Sequence, residues 1–92
     1  MTSQFHRFEG MSIFDDKGEV KRLVEQVLRE VDPEATIDRM RKMDFSYIFV
    51  LSKKGKKGEV ELTRSDIESS WEWRKGIIQE TLIHKIQKTL ST

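Results

Sequence analysis

The run Phe45-Ser46-Tyr47-Ile48-Phe49-Val50-Leu51 constrains this chain more than any other, because aromatic and β-branched residues favour an extended strand. After Ser52 comes Lys53-Lys54-Gly55-Lys56-Lys57-Gly58, whose glycines mark a turn. Glu59-Val60-Glu61-Leu62-Thr63 then alternates polar and apolar, with Val60 and Leu62 expected inward. Together these segments predict an antiparallel hairpin with a lysine-rich tip. A lone hairpin is marginal in water, so something must cover its apolar face.

The cover is legible on both sides of it. Asp15-Asp16-Lys17-Gly18 reads as a helix entry, its acidic residues suited to the positive end of the helix dipole. Val20, Leu23, Val24, Val27, Leu28 and Val31 follow at three- and four-residue steps, a stripe about 140° wide. Asp32-Pro33 ends that helix, since proline disfavours helical geometry in the residue before it. Residues 34–44 have two readings: a helix opened by Pro33, or a polar edge strand over Thr36 to Lys42 guarded by Arg39, Arg41 and Lys42. The strand is the reading we take. Ser65-Asp66-Ile67-Glu68 has capping-box spacing, with Ser65 expected as the cap. Beyond it Ile67, Trp71, Ile78, Leu82, Ile86 and Leu90 predict a long C-terminal helix, bent or broken near Gly76.

The expected fold is therefore α+β, two helices packed on a small antiparallel sheet in the order α-β-β-β-α. Residues 15–92 form one domain, preceded by an arm over residues 1–14 that carries Phe5, Phe8, Ile13 and Phe14. Ninety-two residues suffice for one core with a thin stability margin. Cysteine is absent, which excludes disulfides and thiolate zinc sites and fits the reducing cytoplasm, where we expect the protein. No apolar run approaches the ~20 residues of a membrane span, and no signal peptide is expected at the N-terminus.

Catalytic chemistry finds no foothold. His6 and His84 stand far apart without metal-ligand spacing, and no glycine-rich phosphate loop occurs. Glu59 and Glu61 share one strand face, but no Glu-x-Lys arrangement follows, so a nuclease site lacks converging ligands. We expect no catalytic residues, no metal site and no cofactor.

Two binding surfaces remain. Net charge is only +1, yet residues 38–58 hold seven Lys/Arg against two Asp/Glu. Lys53, Lys54, Lys56 and Lys57, with Arg39, Arg41 and Lys42 nearby, could contact phosphates. Phe45, Tyr47 and Phe49 alternate on one face, either as a base-stacking platform or, more simply, as core; Ile48 and Val50 make the opposite face apolar too. Phe45-Ser46-Tyr47-Ile48 resembles the aromatic strand motif of RNA-recognition-motif domains, but that fold requires a final strand where this chain has helix. The element order is similar to that of double-stranded-RNA-binding domains, whose second helix opens on lysines; here Ser65-Asp66-Ile67-Glu68 stands there, so that phosphate contact does not carry over. Neither likeness assigns a family.

The second surface is on the C-terminal helix, where Trp73, Ile77 and His84 project roughly opposite the main stripe. Either the N-terminal arm covers them or a partner does, with Trp73 as anchor. The resulting expectation is a non-enzymatic interaction module, homodimeric through that helix. The alternative is a nucleic-acid-binding domain using the lysine tip.

Overall fold

A computed structural model of the chain describes residues 12–91. Three helices pack on a three-stranded antiparallel sheet in the order helix-β-β-β-helix, as the periodicities predict. Phe5, Phe8 and His6 lie outside the described residues.

Helix α1, Lys17–Val31, is capped by Asp16, whose side chain accepts from the Glu19 N–H at 3.1 Å. Its stripe is buried: Val20, Leu23, Val24 and Val27 are at most 1% exposed. The chain leaves it through Asp32-Pro33-Glu34, where the Ala35 N–H returns to the Asp32 carbonyl at 2.9 Å. Ahead of α1, Ile13–Asp15 forms one 3-10 turn that buries Ile13 and Phe14. The Phe14 ring meets Tyr47 edge-on, centroids 4.9 Å apart, and its carbonyl accepts from the Tyr47 hydroxyl at 2.6 Å. Burial, and after it the charges of Asp15 and Asp16, push the Tyr47 phenol up to about 12.

Residues 36–42 are strand β1, Thr36–Lys42, so the strand reading holds over the helical one. Strands β2, Ser46–Lys53, and β3, Lys56–Thr63, complete the sheet with β2 central. Between β2 and β3 only Lys54 and Gly55 form the turn, both with positive φ (51° and 81°). A two-residue turn of that type matches the twist of its strands, so pairing runs closer to the tip than the six-residue lysine–glycine segment suggests. Between β1 and β2 the register slips: Ile37 pairs with Leu51 and Arg39 with Val50, leaving Asp38 as an extra residue in β1.

The C-terminal half departs from the expected long helix. Helix α2, Arg64–Glu68, is a single short turn, and α3 begins only at Glu80, ending at Ser91. The capping box is formed by Thr63 and Asp66 rather than by Ser65 and Glu68. The Asp66 N–H donates to Thr63 Oγ1 at 3.1 Å, and the Thr63 N–H donates to Asp66 Oδ2 at 3.0 Å. Strand register decides this: Thr63 is the last residue paired with β2, opposite Ser46, so the helix must start there. Burial opposes the Asp66 charge, but bonds from Lys85 at 2.6 Å and from Thr63 outweigh it and lower its pKa.

Between α2 and α3, Ser70 replaces a helical turn. Its hydroxyl donates to the Asp66 carbonyl at 2.9 Å and accepts from the Gln79 N–H at 3.0 Å. Trp73–Lys75 makes a 3-10 turn closed by Gly76 in the left-handed region, φ 85°. This irregular path reverses the two tryptophans: Trp73 is buried, whereas Trp71, expected in the core stripe, is 54% exposed. The Arg74 guanidinium lies 4.7 Å from the Trp73 ring and clamps the buried Glu19 of α1 with two bonds, 2.5 and 2.6 Å. At the other end α3 lies directly on β3. A Cβ on Gly58 would stand 2.8 Å from the Thr89 methyl and 3.2 Å from its carbonyl oxygen.

Among the described residues, the buried apolar side chains form one cluster between the helices and one face of the sheet. On that face Tyr47, Phe49 and Leu51 of β2 meet Val60 and Leu62 of β3, while Ile37 and Met40 of β1 pack partly against them.

Candidate interaction surface

Strand alternation sends every other side chain away from the core, and the described helices leave that second face uncovered. Its layout follows from the register. Arg41, Ile48 and Glu61 form one row across the three strands; Arg39, Val50 and Glu59 form the next. Arg39, Arg41, Glu59 and Glu61 are exposed, and Ile48 and Val50 are half-buried between them. The face thus has an arginine column on β1, an aliphatic column on β2 and a glutamate column on β3.

The outer columns are two strand spacings apart, about 10 Å, roughly one Debye length at physiological ionic strength. They do not neutralise each other within the chain. Among the described residues neither Arg39, Arg41 nor Glu59 makes an ion pair, and Glu61 only accepts from the Ser46 hydroxyl at 2.6 Å. The end of the face nearest the tip is closed differently, by Lys57 reaching Asp38 of the bulge at 3.1 Å.

The basic residues expected to act together are separated. Lys42 points to the helix side, 3.7 Å from Asp15 and 4.8 Å from the Phe14 ring centroid, while Arg39 and Arg41 face the other way. At the tip, Lys53 pairs with Asp32, Lys54 with Glu34 at 3.5 Å, and Lys57 with Asp38. Lys53 holds the Asp32 carboxyl below its usual pKa, and Asp32 in turn raises that of Lys53. Among the described residues, Lys56 alone of the four tip lysines makes no ion pair. A shallow cleft of ≈ 320 Å³ separates the tip from the end of α3 and is lined by all four lysines with Thr89 and Ser91. Cations there also suit the negative end of that helix.

The aromatic row divides as well. Tyr47 and Phe49 are core, while Phe45 sits in the bend before β2 and is 74% exposed. On the C-terminal side, the broken helix scatters Trp73, Ile77 and His84. Trp73 is buried, Ile77 is 54% exposed in the segment before α3, and His84 is exposed on α3. They form no common stripe.

Among the described residues no cluster of three or more His, Cys, Asp or Glu could hold a metal ion. No helix among them is long and apolar enough to cross a membrane. No family model, curated protein or solved structure matches the chain.

Proposed function

We propose that this chain is a non-enzymatic interaction module of the cytoplasm that docks a protein partner on the open face of its sheet. One observation carries the reading: Ile48 and Val50 are half-buried on a face that the described helices leave uncovered, framed by charges that make no ion pair among the described residues. An apolar centre with a polar rim is the usual anatomy of a protein interface. The homodimer expected through Trp73 has less support, because that ring is already inside the core.

The nucleic-acid reading also loses support at its own residues. Three of the four tip lysines are engaged by acidic groups, and the glutamate column would repel phosphates from the open sheet.

A photoreactive residue in place of Val50, in the chain expressed in its own cells, tests the docking reading. Discrete adducts should form there, disappear with Ile48→Lys, and be absent when the probe replaces the exposed Lys21 of α1. Equal yields at the two positions would reject it.

A further inference from the structure

Resting on that docking reading, we propose that the partner is a second copy of this chain, laid face to face about a twofold axis parallel to β2. The three columns of the open face make this surface complementary to itself in only one way. The register fixes the arginine column on one side of Ile48 and Val50 and the glutamate column on the other, at matching heights.

Two twofold axes can bring the open faces of two sheets together. An axis running across the strands places β1 over β1 and β3 over β3, so arginine faces arginine and glutamate faces glutamate. An axis running along the strands places β1 over the partner's β3. Arg41 then stands opposite the partner's Glu61, Arg39 opposite the partner's Glu59, and each contact is repeated by symmetry. Ile48 and Val50 meet their own copies at the centre. Such an isologous contact uses each charge once and leaves no like pair opposed.

Sheets stacked this way lie about 10 Å apart with strands roughly 30° from parallel, within reach of arginine and glutamate side chains meeting over a valine–isoleucine layer. Three strands by about five residues is a small footprint, roughly 14 Å by 17 Å, well below the usual size of specific interfaces. The dimer is therefore weak and reversible. Its outer ion pairs are close to solvent, so it loosens as salt rises.

The test is a charge swap read by sedimentation over a concentration series. The wild-type chain should move from 10.9 kDa towards twice that mass. Arg39→Glu with Arg41→Glu opposes glutamate to glutamate, and Glu59→Arg with Glu61→Arg opposes arginine to arginine. Each double variant alone should weaken dimerisation at least tenfold, and a one-to-one mixture should restore a heterodimer near wild-type affinity. Recovery on mixing also shows that both variants fold.

A wild-type chain that stays monomeric into the millimolar range overturns the self-association, as do swap variants that dimerise like wild type. The adducts at position 50 separate this failure from that of the docking reading. Adducts of twice the chain mass support the homodimer. Adducts of another mass, with a monomeric wild type, leave docking standing and remove the second copy. No adducts above the Lys21 control remove both.

Discussion

The two faces of this sheet are built from the same three strands and have opposite fates. On the covered face Tyr47, Phe49, Leu51 and Leu62 are at most 1% exposed, and among the described residues no buried side-chain nitrogen or oxygen lacks a hydrogen-bond partner. On the open face the aliphatic centre is half wet, and its flanking arginines and Glu59 make no ion pair among the described residues. The helical layer accounts for the difference, since it seals one side and leaves the other. Stability therefore resides on one face, and the proposed docking on the other.

Truncation should expose that asymmetry most strongly. Phe49→Ala should cost about 3–5 kcal/mol, enough to unfold much of a domain this small, whereas Val50→Ala beside it should cost under about 1 kcal/mol. Denaturant titrations followed by circular dichroism give both values. Equal losses would mean that the open face is as structural as the covered one.

Tyr47 sharpens the contrast through pH. Its folded pKa is raised, so the fold favours the neutral phenol. That stabilisation is fully present below pH 10, where the unfolded phenol is still protonated, and is lost as pH rises towards about 12. The loss amounts to at most about 3 kcal/mol, and Tyr47→Phe should remove this part of the alkaline transition. As the sole tyrosine, Tyr47 can also be titrated directly by phenolate absorbance. A phenol that ionises near 10 would place it in water.

The helical layer is fastened by the Arg74 clamp on Glu19. Among the described residues, Arg74→Met leaves the buried Glu19 carboxylate with only the longer contact to the Arg22 guanidinium at 3.7 Å, and should cost about 2 kcal/mol because Arg74 itself is half exposed. Adding Glu19→Leu should recover most of that loss, as thermal unfolding of the double variant would show. The smallest effect belongs to the tip, where the two faces end. Lys54→Asn puts a residue tolerant of positive φ into the turn and should raise stability by a few tenths of a kcal/mol.

The regular elements were legible because their signals are local. The α1 stripe, the stop at Pro33, the hairpin and the charged edge strand each needed only neighbouring residues. The capping box was misplaced because Thr63-Arg64-Ser65-Asp66 and Ser65-Asp66-Ile67-Glu68 overlap, and the choice between them is made by pairing with Ser46, far away in the chain. The tryptophans were exchanged because helical arithmetic was carried through Ser69–Gly76, where Ser70 and Gly76 turn the backbone another way. The clamp joins residues 55 positions apart and has no local mark. At the candidate surface, alternation alone put Glu59 and Glu61 on one side and made Ile48 and Val50 a second apolar face. What it lacked was the alignment that sets Arg39 and Arg41 level with them.

That alignment holds because Asp38 stays out of the ladder. Ile37 and Arg39 are two apart, so an uninterrupted strand would point both the same way; the extra residue resets the phase, and Ile37 goes to oil while Arg39 goes to water. Because Asp38 has no partner of its own on β2, deleting it would leave every pairing of β1 in place and straighten the strand, whereas drawing it into the ladder would turn Arg39 and Arg41 to the core or Ile37 to water.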